Sequence, residues 1–164
     1  MTTDQKPKAK LSSLFFNDEE KQKGGWVDLP DGVRVKAIGW TSAFAEQVKE
    51  DLLKKRPVDL IPGSDEFMAA AKANPIEHAR KVRDAETEDR RETLASLITG
   101  WENFAGIPFS EQNLRVICTK DAAQGARDLL FQATFDVGKF KAGSDEGAVK
   151  NFVAGLGINF DSQE

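Results

Sequence analysis

The stretch from Pro75 to about Phe104 is the longest helical pattern in the chain, and it constrains the fold more than any other segment. Asn74 fits an N-cap, Pro75 the first helical position and Glu77 the third. A continuous helix here would be about 45 Å long at ~1.5 Å per residue. Its two halves differ in character. Between Arg80 and Glu92 only Val82, Ala85 and Thr87 are uncharged, and Glu77 with Lys81 and Glu86 with Arg90 are spaced as i,i+4 ion pairs. Such a segment faces solvent or a partner and has little core of its own. Further on, Leu94, Leu97, Ile98 and Trp101 fall at spacings 0, 3, 4 and 7, the stripe of a helix packed on a core. The pattern predicts one helix over residues 75–103.

Other segments supply the elements around it. Gly24-Gly25 punctuates the chain before a β-like run from Trp26, and Pro30-Asp31-Gly32 is a turn signal, since Pro presets φ and Gly accepts positive φ. Val33, Val35 and Ala37 alternate with Arg34 and Lys36, the period of a half-buried strand, so residues 26–38 read as one β-hairpin. A lone hairpin is marginal in water, so it must lie on helices or gain strands from elsewhere. Helices are expected at 42–55, with Thr41 or Ser42 as cap and Phe44, Val48 and Leu52 as the apolar stripe, and at 65–73 after Ser64. Two more are expected at 110–119 and 122–139. Ser110 caps the first, with Phe109 and Leu114 as a hydrophobic staple, and Asp121 with Gln124 resembles a capping box for the second. Leu94, Leu97, Ile98, Trp101, Phe109, Leu114, Ile117, Leu129, Leu130 and Ala133 form the expected core, because short links force these helices to be neighbours. The class is mostly α: a small helical domain with one N-terminal β-hairpin and flexible termini. Its parts are a flexible tail at 1–23, the hairpin and helical domain at 24–140, and a Gly-rich segment at 141–164.

Charge and composition exclude several functions. The formal net charge is −4, so the short basic clusters at Lys6, Lys8 and Lys10 and at Lys54, Lys55 and Arg56 read as solvated surface, with no case for nucleic acid. The polar, Lys-rich start is not a secretory signal, and no apolar run approaches the ~20 residues of a membrane span. A single cysteine, Cys118, forms no internal disulfide and suits a reducing compartment. It lies on the inner side of an amphipathic helix, where a thiol is buried and inert. His78 is the only histidine and sits in a charged helix, where a surface position is the default. One His and one Cys make no soft metal cluster, and no phosphate-binding glycine loop follows a strand. Neither catalytic residues nor a cofactor are expected. Carboxylates are plentiful on polar helices, and a carboxylate-only metal site stays open as an alternative.

Two segments have the physics of protein-binding elements. Leu14, Phe15 and Phe16 form an abrupt apolar triplet at the end of a polar tail, which reads either as a docking motif or as an anchor on the chain's own core. Near the other end, Val149, Phe152, Val153 and Leu156 again fall at 0, 3, 4 and 7, among glycines that weaken an isolated helix by about 1 kcal/mol each. Ordering of that helix can be coupled to binding a partner, which eases release, or to docking on its own domain.

The order of features carries a resemblance. Gly25-Trp26-Val27 and Val33-Arg34-Val35 precede a helical middle. A helix ending at Trp101 follows, then Gly106-Ile107-Pro108-Phe109-Ser110-Glu111-Gln112-Asn113-Leu114, then a Phe-rich helix. This resembles the tail assembly chaperones of long-tailed bacteriophages of the siphophage and myophage type, over residues 24–140 and most strongly over 94–140. Asn103-Phe104-Ala105 departs from the acidic, glycine-containing turn often found there. The resemblance implies a protein absent from the virion that binds tail tube and tape measure proteins in the host cytoplasm and keeps them soluble. It also implies that many relatives have a longer, frameshifted form. A small non-enzymatic structural or adaptor protein of a phage or bacterium, with possible self-association, is the competing reading.

Overall fold

The computed structural model describes residues 16–139 and 146–157, and these are mostly helical with a small antiparallel sheet. Residues 16–23, assigned to the tail by composition, are built into the domain. Asn17 caps α1 (Asp18–Lys23), its Oδ1 accepting from the Glu19 N–H at 3.1 Å. The Lys21 carbonyl then accepts from the Gly39 N–H at 2.8 Å. β1 (Gly25–Asp28) and β2 (Arg34–Ala37) form the expected hairpin around Pro30–Gly32. The turn closes with Leu29 N–H donating to the Val33 carbonyl at 2.8 Å. Asp31 at φ 61° and Gly32 at φ 75° hold left-handed conformations, which these two residue types tolerate.

The hairpin gains its missing strand from the long helical pattern. α4 spans Pro75–Leu97, and the chain then turns into β3 (Ile98–Glu102), which pairs with the free side of β2 to give the order β1-β2-β3. The helix expected to reach residue 103 therefore ends six residues early. A bulge explains the deceptive spacing. Lys36 faces Gly100 but Ala37 faces Ile98, so Thr99 is an extra residue in β3. Three residues apart on a regular strand, Ile98 and Trp101 would face opposite sides. The bulge shifts the phase by one, and both are buried.

Capping chemistry placed most helix starts. Ser42, Ser64 and Ser110 accept from the backbone N–H three residues on, at 3.1, 3.0 and 3.1 Å, and open α2 (Ala43–Lys55), α3 (Asp65–Ala73) and α5 (Glu111–Thr119). At the start of α4, Asn74 Oδ1 accepts from Glu77 N–H at 3.3 Å. The capping box expected at Asp121 is not made. Residues Asp121–Ala123 form a 3-10 turn, the N-cap of α6 (Gln124–Asp136) is Ala123, and the Asp121 carboxylate pairs with Arg91 at 2.9 Å instead. α7 (Glu146–Gly155) lies in the Gly-rich segment.

One core joins the inner face of the sheet to the end of α4, α5 and α6. Val27, Val35, Ala37, Leu94, Ile98, Trp101, Leu114, Ile117, Cys118, Leu130, Ala133 and Val137 belong to it. Of the expected core, Leu129 is half-buried against this cluster, Leu97 is buried outside it, and Phe109 is partly exposed, its ring edge-on to Trp101 at 4.8 Å. Arg127 is buried as well. Its Nη1 donates to the carbonyls of Ile117, Cys118 and Lys120 at 3.1, 3.3 and 3.0 Å, so a cation closes the C-terminal end of α5, where the helix dipole favours it.

Beside this core stands a helical arm made of α2, α3 and the first half of α4. α3 packs on α4 and on the turn Val58–Leu60, and α2 packs on α4. Ala45 is the only buried residue of α2, and α3 buries none. His78, expected at the surface, is buried in the arm. Its Nε2 lies 2.8 Å from the Asp59 carbonyl, which can only accept, so Nε2 carries a proton. The ring meets Phe67 edge-on at 4.5 Å.

Candidate protein-binding surfaces

The two segments singled out in the sequence are rooted differently from one another, yet one root is shared with the end of α6. Leu14 and Phe15 lie outside the described residues. Phe16 is exposed, forms an isolated antiparallel bridge with Lys139, and has the Lys139 ammonium 6.0 Å from its ring centre. The Asn17 N–H donates to the Gly138 carbonyl at 2.7 Å. Phe16 and Lys139, at the ends of their described segments, therefore lie side by side. Gly138 is required at this junction: its φ is +83°, and a Cβ there would meet the Asn17 carbonyl oxygen at 2.6 Å. Val149, Phe152 and Val153 lie on α7, but their side chains are outside the described residues. Leu156, just past α7, is 59% exposed. The structure does not bring the C-terminal stripe and the N-terminal triplet together as described side chains.

A further apolar surface lies on the arm, only part of which the α2 stripe had marked. The α2 stripe is only half covered: Phe44 is 46% exposed, and Val48 and Leu52 are half-buried. Leu53 lies on another face of α2 and lines the Trp40 cleft, and elsewhere on the arm Val58 is 52%, Met68 64% and Ile76 86% exposed. The arm thus exposes several large apolar side chains for the little core it buries, and concentrations of exposed apolar surface mark contact sites. The sequence signals were the α2 stripe and the apolar content of α3, which packs on α4 and on the turn Val58–Leu60 and still leaves Met68 exposed.

At the base of the arm Trp40 organises a cleft of about 470 Å³ between α2 and α4. Its ring packs on Phe131 at 5.3 Å and Phe135 at 5.9 Å, while the Lys49 ammonium sits 4.7 Å above it and donates to the Trp40 carbonyl at 2.9 Å. Arg56 and Asp89 pair across the cleft at 2.7 Å, both mostly shielded from water. Phe135 is about half exposed at the rim. Trp40 went unremarked in the sequence because it stands in the link before α2, outside any periodic pattern. Gly39 before it, whose N–H is tied to α1, was the available hint.

The groups with reactive potential are placed as follows. Cys118 is buried, and desolvation pushes its thiol up to about 11, with the Arg127 charge acting the other way. A thiol so held is not a nucleophile at neutral pH. The Glu86–Arg90 pair expected from spacing is not formed, and the Arg90 guanidinium lies 4.7 Å above the Phe131 ring. Among the described residues no group of three His, Cys, Asp or Glu side chains gathers as a metal site, and no helix is long and apolar enough to cross a membrane. No family model, no curated protein and no solved structure matches this chain.

Proposed function

We propose that this protein is a non-catalytic, partner-binding protein of phage tail assembly, a chaperone that holds tail tube and tape measure proteins soluble in the host cytoplasm and is absent from the virion. The observation that supports binding is the set of exposed large apolar side chains on the arm: Phe44, Leu53, Val58, Met68 and Ile76. Apolar surface of this extent on an element with little core of its own costs solubility, which makes sense when a partner covers it. The tail-specific part of the reading rests on the residue pattern from Trp101 to Leu114 and the Phe-rich helix after it. In that pattern the indole, Phe104, Phe109 and the Ser110 cap form one unit: the Trp101 Nε1–H donates to the Ile107 carbonyl at 2.7 Å, and the Phe104 ring lies 5.1 Å away. An adaptor with the same arm and a different partner is the second reading.

On this account Leu14, Phe15 and Phe16 and the stripe Val149, Phe152, Val153 and Leu156 extend the arm surface as conditional anchors. Weakly helical segments that order on binding lower net affinity and speed release, which an assembly factor needs. The experiment is co-expression of the tail tube protein encoded in the same genome with the full chain and with a chain ending at Phe140. The full chain is expected to keep the tube protein in the soluble fraction, and the shortened chain to do so less well. Equal activity of the two removes the C-terminal stripe from the binding surface. No effect of either removes the chaperone reading itself.

A further inference from the structure

The charged run of α4 is sorted by the helix into rows of opposite sign. Arg80, Arg83, Thr87 and Arg90 are spaced 0, 3, 7 and 10, so they share one face. The acids of the run turn elsewhere. Asp84, Glu88 and Glu92 line a cleft of about 430 Å³ toward Leu52 and Leu60. Glu86 and Asp89 line the Trp40 cleft. What remains facing outward is an arginine ridge about 15 Å long at ~1.5 Å per residue.

These arginines have no carboxylate partner. Arg80 and Arg83 are exposed and make no ion pair among the described residues, and Arg90 is held only over the Phe131 ring. The ridge ends at a hollow of about 140 Å³ where Arg90 and Phe131 meet the buried Arg127 and the exposed Asp128. Some surface cations are matched, Lys23 with Glu19, Arg34 with Asp28 and Glu102, Lys81 with Glu77, while Lys36, Lys55, Lys72 and Lys120 stand singly without an ion pair among the described residues. What sets the ridge apart is that three unpaired arginines share one helix face in a chain of net charge −4.

We propose that this ridge docks an acidic protein segment whose carboxylates repeat at helical spacing and whose end places an apolar side chain beside Phe131. Arginine suits the task because its planar fork binds carboxylate with two hydrogen bonds. The ridge is one side chain wide. Asp84 and Glu88 flank it on one side and Glu86 on the other, so a second row of anions would meet repulsion. That favours a single acidic row on a helix over the paired phosphate rows of a nucleic acid. The ridge begins one turn after Ile76, on the same face of α4, and its charge chemistry does not depend on the partner being a tail protein.

The test is fluorescence anisotropy with the full chain and a labelled peptide of about 14 residues, long enough to span the ridge, with Glu at the ridge's own spacing and a terminal Leu. A single-stranded oligodeoxynucleotide of equal length is titrated in parallel. The peptide is expected to bind, and the triple variant Arg80→Gln, Arg83→Gln, Arg90→Gln to weaken it about tenfold or more, since three charge-assisted contacts are lost. The corresponding three Arg→Lys changes, which keep the charge and lose the two-bond fork, are expected to bind more tightly than the Gln variant and more weakly than the parent, and Lys54→Gln with Lys72→Gln to leave binding unchanged. Circular dichroism of every variant is expected to match the parent, since the substituted side chains are exposed. Equal peptide binding by the parent and the Gln variant overturns the proposal. So does an equal loss in the Lys54/Lys72 control, or tighter binding of the oligonucleotide that is lost with the same arginines.

Discussion

Replacing Trp101 with alanine tests whether the sheet and the helices share one core. The indole is 6% exposed and sits on β3 opposite Val35, at the centre of the cluster. It packs on Phe104 and Phe109, and its Nε1–H donates to the Ile107 carbonyl at 2.7 Å. Removing a buried aromatic of this size costs about 3–5 kcal/mol, and the Ile107 carbonyl loses a donor worth about 1 kcal/mol more. In a chain of this length each kcal/mol moves Tm by about 2–4 °C, so Trp101→Ala is expected to lower Tm by about 10 °C or more. Trp101→Phe keeps most of the packing and loses the hydrogen bond, so it is expected to lower stability by about 1–2 kcal/mol. Urea titrations followed by far-ultraviolet circular dichroism measure both, with the slope checked for constancy. An unchanged Tm in Trp101→Ala would refute the reasoning, because it would mean the indole contributes nothing to the folded core.

Three further outcomes follow from particular contacts. Gly138→Ala is expected to destabilise by about 1–3 kcal/mol and to speed proteolysis before Asn17, whereas Gly63→Ala, equally left-handed at φ +88° but with open space around it, costs only about 1 kcal/mol. Arg127→Met strips the donor from the carbonyls of Ile117, Cys118 and Lys120 and is expected to cost about 2–3 kcal/mol by urea titration. Because the folded Cys118 thiol titrates near 11, above its ordinary value of 9.0, its contribution to stability is complete below pH 9 and is lost as pH rises toward 11, a loss absent from Cys118→Ala. At pH 8 a thiol reagent should therefore label Cys118 only as fast as the chain opens.

Local rules carried most of the fold. The serine caps and Asn74 were readable because an N-cap depends on a few neighbouring residues and little else, and the hairpin because Pro30-Asp31-Gly32 leaves few alternatives. What failed were features set by distant partners. Ile98 and Trp101 imitate a helical period because β2 imposes a bulge from more than sixty residues away. The isolated hairpin did signal that another strand was needed, and Thr99-Gly100, poor helix formers, marked where it lay. Asp121 was drawn from its capping role by Arg91, and Arg90 from its ion pair by Phe131, both contacts between α4 and the α6 region. His78 followed the same logic, since the turn that buries it is about twenty residues upstream. The arm surface was legible only as the α2 stripe and an excess of apolar residues in α3. Which of them stay uncovered depends on how α3 lies on α4.

The most direct measurement of the account is the solubility of the co-expressed tail tube protein with this chain, with its Met68→Ser, Ile76→Ser variant, and with neither. Both side chains are largely exposed, so the variant is expected to fold with unchanged Tm while removing the two most exposed large apolar side chains of the arm. The account predicts that the tube protein is soluble with the parent chain and shifts to the pellet with the variant. A tube protein that pellets equally with and without the parent chain would contradict it.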